Sequence, residues 1–146
     1  MTWENWFSLA STAAAAGWAA LILLPRWPWL RLTLRYALPG ALATAYTALV
    51  MVYFFHVEGG GFNSLAQVKE LLGTDPTLLA GWVHYLAFDL FVGGWIAERA
   101  DALHLSRLLQ APILMLTFLF GPIGFMVFIA TQAALQTSHI AQEVTP

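Results

Sequence analysis

The sequence contains few charged residues. Only 10 % of its 146 residues are charged and 60 % are hydrophobic, whereas soluble domains carry about 25 % charged residues. Six lysines and arginines stand against eight acidic residues, for a net charge of −2, so no basic surface is available to attract a phosphate backbone. This composition excludes a soluble globule, a disordered chain and a nucleic-acid-binding protein. It predicts an integral membrane protein of one domain.

Cysteine is absent. The chain therefore holds no disulfide, no thiolate-ligated metal or iron–sulfur cluster, and no catalytic cysteine. It also lacks a glycine-rich phosphate-binding loop and the nucleophile motif of serine hydrolases. These absences exclude most enzyme classes that a short motif identifies, including the quinone-linked dithiol oxidoreductases.

Long apolar segments dominate what remains. A membrane-spanning helix needs about 20 mostly apolar residues. Four segments meet this requirement: residues 3–24, 36–55, 76–97 and 112–135. The first has Glu4 in place of a basic leader, so we interpret it as a retained helix and not as a signal peptide. We predict an all-α fold, an integral membrane four-helix bundle.

The cations of the chain are unevenly distributed. Five of the six follow the first and third segments: Arg26, Arg31, Arg35, Arg99 and Arg107. Only Lys69 follows the second segment. Because short cytoplasmic loops are rich in lysine and arginine, this pattern places the five arginines in the cytoplasm and both termini outside it.

The connection between the second and third segments contains a further helix signal. Ser64 and Gln67 have the spacing of a capping box, and Leu65, Val68 and Leu71 share one helical face. We predict a short amphipathic helix at the outer membrane interface. It either joins two helices as a simple lid or gates a pocket beneath it.

Asp89 lies near the middle of the third segment. A charged aspartate there costs roughly 2.5–3.5 kcal/mol on insertion scales, so it needs a partner or a proton. Tyr85, one turn earlier, is one candidate partner. The hydroxyls of Thr44, Tyr46 and Thr47 on the second segment lie at a similar depth and are others.

His84 is the second ionisable residue of the same segment. It precedes Asp89 by five residues, which is about 140° around a helix. A direct bond between the two is therefore not expected, and we predict that they line two sides of one cavity. A neutral, hydrogen-bonded histidine in the core is the simpler interpretation.

The fourth segment carries a proline between two glycines, Gly121-Pro122-Ile123-Gly124. Pro122 removes a helical hydrogen bond and predicts a kink. The freed carbonyl of Phe118 would then face a polar group or a ligand. The alternative is a kink that serves packing alone.

A metal site is a weaker hypothesis. His56, His84, His139 and Glu58 all fall in the outer half of the predicted bundle. Their spacing matches no metal-binding motif and their depths differ by about two helical turns. We therefore predict no metal and no other cofactor.

Two stretches resemble a known family. They are GWVHYLAFDLFVGGWI, residues 81–96, and PILMLTFLFGPIGF, residues 112–125. Together they are similar to the abscisic-acid-deficient-four-like family, four-helix membrane proteins of plants, algae, cyanobacteria and other bacteria. The plant member is required to make neoxanthin from violaxanthin, which is the opening of a xanthophyll epoxide to an allene. The absence of a plastid transit segment indicates a bacterial inner membrane or a photosynthetic membrane.

The resemblance and the intramembrane polar residues together define the candidate site. We predict that Asp89 acts as the acid, His84 as the base and Tyr85 as their catalytic neighbour. A carotenoid or another apolar polyene is the expected ligand. The predicted substrate-binding residues are Trp82, Phe88, Tyr46, Thr117, Gly121 and Pro122.

A second interpretation stays open at the level of sequence. The chain is then a non-catalytic subunit that binds pigment or lipid within a larger membrane complex, such as a photosynthetic one. A stripe of small residues, Ala10, Ala14 and Gly17, either seats the first helix in the bundle or docks a neighbouring protein. A small transporter or channel is less well supported, since one carboxylate makes a poor conduction path.

Overall fold

The computed structural model describes residues 1–144, with side chains as far as residue 137, and this part of the chain is helical without strands. The predicted all-α class is confirmed. The helices are α1 (Trp3–Leu23), α2 (Pro28–Leu32), α3 (Leu38–Tyr53), α4 (Leu65–Leu71), α5 (Asp75–Ala102), α6 (Arg107–Phe120) and α7 (Pro122–Val144). A π-helical turn, Thr33–Ala37, joins α2 to α3, and a 3-10 turn, Phe54–His56, follows α3.

Among the described residues, three helices are long and apolar enough to cross a membrane. They are Trp3–Leu23, the continuous helix Pro28–His56, and Asp75–Ala102. These correspond to the first three predicted segments. The apolar helices that follow them, α6 and the described part of α7, are shorter.

The helix α5 lies at the centre of the fold, between α1, α3 and α6. Its contact with α1 depends on Gly93, where a Cβ atom would overlap the buried ring of Trp18. On α1 itself, Ala14 is fully buried, and a Cβ at Gly17 would lie 2.7 Å from a methyl carbon of Leu38. Ala14 and Gly17 of the small-residue stripe therefore seat α1 inside the bundle.

The π-helical turn precedes Pro39. Proline has no backbone N–H and its ring collides with the carbonyl four residues earlier, which here belongs to Arg35. Widening the turn before the proline relieves this collision, and the N–H of Leu38 bonds to the carbonyl of Thr33, five residues back. The helix Pro28–His56 thus continues through its proline.

The fourth predicted segment, residues 112–135, is wrong as a single kinked helix. The chain breaks at Gly121, whose φ of +34° and ψ of −87° lie outside the helical region. Gly124 then packs so closely on Thr117 that a Cβ atom would overlap the Thr117 backbone. In one continuous helix these residues would be about 10 Å apart, so α6 and α7 fold sharply against each other.

The direction of α7 follows from its contacts with α5. Trp95 lies six residues beyond Asp89, about 9 Å further toward the C-terminal end of α5. The ring of Phe128 contacts Trp95 at 5.5 Å between centroids, although Gly121 lies beside Asp89. The helix α7 begins beside Asp89 and therefore runs back toward the C-terminal end of α5, which is also the end where α6 begins.

That end of the molecule is its arginine-rich end, formed by Arg26, Arg31, Arg35, Arg99 and Arg107. The Arg26 side chain is buried and bonds Asp101 at 2.7 Å. Burial lowers the pKa of Arg26, and the hydrogen bond and charge of Asp101 counteract this. Arg35 forms a second ion pair, with Glu98. These two pairs attach the segment between α1 and α3 to α5.

The predicted short helix between the second and third segments is present as α4. The Ser64 hydroxyl oxygen accepts from the N–H of Gln67 at 3.2 Å. The Gln67 side chain accepts from the N–H of Asn63 at 3.1 Å, one residue before the position that a capping box would use. Leu71 is buried against the bundle, and the placement of α4 at a membrane interface stays a prediction.

Candidate functional site

Asp89 faces the break between α6 and α7. A Cβ atom at Gly121 would lie 2.8 Å from Oδ1 of Asp89, so the turn approaches the carboxyl this closely only because residue 121 has no side chain. The second carboxyl oxygen, Oδ2, is buried and has no hydrogen-bond partner. Asp89 also forms no ion pair within the described residues. Oδ2 of Asp89 is thus a buried polar atom without a hydrogen bond, on a helix that is otherwise mostly apolar at this depth.

Tyr85 supplies a polar group beside Asp89. Its hydroxyl lies against the carboxyl of Asp89, one turn away on α5. The ring of Trp82 stacks on Tyr85 with 5.4 Å between centroids. Trp82 is itself fixed to α1, because its indole N–H donates to the hydroxyl of Ser11 at 2.9 Å. A chain of contacts from α1 through Trp82 therefore positions Tyr85 beside Asp89.

Tyr85 also lines a cavity between α1 and α5, which we call the α1–α5 cavity. It has a volume of about 790 Å³, within the range of small-molecule sites. Its apolar lining includes Trp3, Phe7, Leu72, Leu78, Leu79 and Trp82, and its polar lining includes Thr2, Glu4 and Asp75. It lies at the end of α5 opposite the arginine-rich end. Tyr85 lines this cavity, whereas Asp89, one turn further along α5, does not.

His84 lies on a different face of α5. Its ring packs between Tyr46 of α3, at 5.1 Å, and Phe88, at 4.6 Å. His84 and Tyr46 line a separate cavity of about 360 Å³. The structure therefore does not bring His84 and Asp89 to one cavity, in contrast to the sequence prediction. The angular separation of about 140° sends one side chain toward α3 and the other toward the α6–α7 break.

The hydroxyls predicted on the second segment do not reach Asp89. Thr44 donates to the carbonyl of Gly40 at 2.9 Å, and Thr47 to that of Ala43 at 2.8 Å. Both are exposed and satisfied by their own helix. That prediction was wrong, because α3 packs on the His84 face of α5.

The other predicted substrate-binding residues fall in three places. Gly121 touches Asp89, whereas Pro122 is exposed at the start of α7. Thr117 is fully buried and donates to the carbonyl of Ile113 at 2.9 Å, so its hydroxyl is satisfied within α6. Phe88 lines a groove between α3 and α5.

The start of α7 adds a favourable charge to the site. Its first turn begins next to Asp89, and the N-terminal end of a helix carries partial positive charge. An irregular backbone at membrane depth is tolerated where it is buried in protein or lines a cavity. The carboxyl, the Tyr85 hydroxyl and this helix end together can donate a proton and stabilise a developing negative charge.

Sequence reasoning named Gly121 as a substrate-binding residue, but it missed Ser11 as a contributor to the site. Ser11 had no distinguishing feature on an apolar helix. Ser11 follows Trp3 by eight residues and Phe7 by four, and this helical spacing, which places it on the cavity face, is the signal that the sequence offered.

A metal centre is not formed by the described side chains. No three histidines, aspartates or glutamates lie together among them. His56 ends the 3-10 turn after α3, away from Asp89, and His139 lies outside the residues whose side chains are described.

Comparison with known proteins gives one result. No curated protein and no solved structure matches the chain. A family model described as ABA DEFICIENT 4-like matches residues 5–128, which include Tyr85, Asp89 and Gly121. Because the match covers most of the sequence, the chain belongs to the ABA DEFICIENT 4-like family, and this membership links it to carotenoid and xanthophyll metabolism.

Proposed function

We propose that the protein is a membrane-embedded isomerase that opens a xanthophyll epoxide to an allene, with Asp89 as its catalytic residue. The observation that carries the proposal is the buried, unpartnered Oδ2 of Asp89 beside Tyr85. A carboxyl that packing alone requires would have its hydrogen bonds satisfied. Family membership supplies the substrate class.

One carboxyl group can carry out both proton transfers of this reaction. Asp89 gives its proton to the epoxide oxygen as the carbon–oxygen bond breaks, which leaves a positive charge spread over the polyene. The Asp89 carboxylate then takes a proton from a polyene carbon, and the released electron pair completes the allene. Product and substrate have the same atoms, no electrons are exchanged with a partner, and Asp89 returns to its starting form.

The neighbouring groups then have distinct tasks. The Tyr85 hydroxyl orients the carboxyl, and Trp82 holds the Tyr85 ring. Positive charge at the start of α7 stabilises the carboxylate between the two proton transfers. His84, which the sequence suggested as a base, faces α3, so we assign both proton transfers to Asp89.

The location fits an apolar substrate. We propose an inner or photosynthetic membrane, with the arginine-rich end in the cytoplasm and the α1–α5 cavity opening at the other side. The polyene reaches the site from the bilayer. Its epoxide end lies at Asp89, and its other end group lies among Thr2, Glu4 and Asp75 of the cavity lining.

The test is turnover by purified protein in liposomes that contain an epoxidised xanthophyll, with the pigments separated chromatographically. We expect Asp89→Asn to lower turnover by about 10²-fold or more. Asp89→Glu keeps a carboxyl and should retain measurable activity. Wild-type turnover by Asp89→Asn would refute the assignment of Asp89.

A matched control uses the second ionisable residue of the same helix. His84→Gln keeps a hydrogen-bonding side chain, and we expect it to change turnover by less than about threefold, within the range of a packing effect. Loss of activity in His84→Gln with normal activity in Asp89→Asn would transfer the catalytic role to His84.

A second function is favoured by a specific groove. Between α1 and α3 lies an apolar groove of about 350 Å³, lined by Trp3, Trp6, Ala10, Ala13, Ala45 and Leu49 among others. Its small residues and two indoles suit a polyene or an acyl chain, as a non-catalytic pigment-binding subunit requires. A bound carotenoid that co-purifies unaltered with other membrane subunits, together with no turnover in liposomes, would favour this function over the isomerase.

A further inference from the structure

A groove between α3 and α5 lies outside the proposed catalytic site. It has a volume of about 330 Å³ and an almost wholly apolar lining. The aromatic rings of Tyr36 and Phe91 and the small residues Gly40, Ala43 and Ala87 line it. A Cβ atom at Gly40 would have no other heavy atom within 4 Å, so the groove is open at that position. Its shape suits a narrow, flexible hydrocarbon chain.

One charged residue, Arg35, lines this groove. The Arg35 guanidinium lies over the rings of Phe91 and Tyr36, at 5.1 and 5.6 Å from their centroids. One nitrogen, Nη1, donates to Glu98. Its Nε–H, in contrast, is buried and has no acceptor, which is costly for a charged donor. The groove therefore combines an apolar wall with a positioned guanidinium whose hydrogen-bonding capacity is not fully used.

The position of Arg35 in the fold indicates the depth of its guanidinium in the membrane. It belongs to the arginine-rich end, where five arginines face two carboxylates, Glu98 and Asp101. Such an end lies at the level of the lipid headgroups, and its excess of positive charge attracts anionic lipid. The π-helical turn before Pro39 keeps Arg35 within the continuous helix at this level.

We propose that the groove binds an anionic phospholipid, with one acyl chain along Gly40, Ala43 and Ala87 and its phosphate beside the Arg35 guanidinium. The two parts match in chemistry, since the apolar groove leads to a cationic donor at headgroup depth. The proposal does not depend on the isomerase activity, because Asp89 faces the α6–α7 break.

The experiment measures lipid binding to delipidated protein in detergent by native mass spectrometry. The probes are phosphatidylglycerol and phosphatidylcholine with identical acyl chains. We expect wild-type protein to bind phosphatidylglycerol about tenfold more tightly, as a hydrogen bond to a charged group allows. Equal affinity for the two lipids would overturn the proposal.

The first variant fills the groove without touching the ion pair. Gly40→Leu places a side chain where the groove is empty, and we expect it to weaken phosphatidylglycerol binding by about tenfold through steric exclusion. Thr44→Leu on the same helix adds a similar side chain at an exposed position that does not line the groove, and it should bind as wild type. Wild-type binding by Gly40→Leu would overturn the proposal.

A second variant tests the charge separately. The double substitution Arg35→Gln with Glu98→Gln removes both charges and leaves no unpaired ion, so the fold is retained. We expect it to bind both lipids with equal, reduced affinity. Persistent preference for phosphatidylglycerol in this variant, or displacement of the lipid by a carotenoid at equimolar concentration, would show that Arg35 and this groove do not form an anionic lipid site.

Discussion

Single residues decide how closely the helices approach the site. Gly121 is the clearest case, since its backbone has a positive φ and its missing side chain leaves room for the Asp89 carboxyl. Gly40 shows the opposite situation, a helical glycine with open space around it. These two glycines therefore predict opposite responses to the same substitution.

Gly121→Ala should destabilise the protein by about 1–3 kcal/mol, because the methyl group meets both backbone strain and the Asp89 carboxyl. Gly40→Ala should be neutral or stabilising by up to about 1 kcal/mol, because alanine favours the helix. Thermal unfolding of both variants in detergent gives the comparison. Equal unfolding temperatures for the two variants would contradict the role assigned to Gly121.

The ion pair of Arg26 with Asp101 predicts a second residue-scale effect. The Arg26 side chain is 4 % exposed, so removal of its partner leaves a buried charge uncompensated. Asp101→Ala should cost about 3 kcal/mol of unfolding free energy. Glu4→Ala, at an exposed carboxylate that forms no ion pair among the described residues, should change it by less than about 0.5 kcal/mol. Chemical unfolding in mixed micelles measures both, and similar losses would contradict the burial argument.

At the scale of elements, α5 organises the molecule because α1, α3 and α6 all pack on it. Two sides of α5 are used: His84 faces α3, whereas Asp89 and Gly93, one turn apart, face the α6–α7 break and α1. The helix is thus both the core and the carrier of the candidate site.

The contact of α1 with α5 provides a test at this scale. Gly93→Ala should destabilise the protein by about 1–3 kcal/mol, since the added methyl group overlaps the Trp18 ring. The smaller ring of Trp18→Phe should restore part of this loss in the double variant. Gly94→Ala is the control, because a Cβ there lies 3.5 Å from the nearest atom, in Arg35. No rescue by Trp18→Phe would show that the two residues are not coupled.

The sequence predicts the first three apolar segments correctly because their length and composition alone require long helices. It does not predict the break at Gly121, since a glycine–proline pair signals a bend without fixing its angle. That angle depends on the packing of Gly124 on Thr117, which is tertiary. Asp89 stands out in an apolar segment, so it was predictable as a candidate. Gly121 was also named as a site residue, but its direct approach to the Asp89 carboxyl was not predictable, because helix periodicity gives a face of α5 and not the segment that covers it.

At the scale of the whole molecule, the sharp reversal between α6 and α7 changes the expected topology. Both termini were predicted on the outer side on the assumption that residues 112–135 cross the membrane once. Since α7 starts back toward the arginine-rich end, we expect Gln136 to lie on the same side as Ser106.

The absence of cysteine makes this topology directly measurable. Single substitutions Glu4→Cys and Asn63→Cys should react with a membrane-impermeant maleimide added outside intact cells. Ser106→Cys and Gln136→Cys should react only after permeabilisation. External labelling of Gln136→Cys alone would show that residues 112–135 cross the membrane once. External labelling of Ser106→Cys would show that the orientation is opposite to the one proposed.

The break at Gly121 also has a consequence for the order of assembly. To the insertion machinery, which scores hydrophobicity along the emerging chain, residues 107–137 are one continuous apolar stretch. Within that stretch the turn is held by Gly124, which packs on Thr117, and by the wider contact of α6 with α7, which is more extensive than that of α7 with α5. The contacts with Asp89 and Trp95 are added by α5. A fragment synthesised without α5 therefore keeps the contacts that close the turn, and we expect α6 and α7 to form a helical hairpin before they dock on α5.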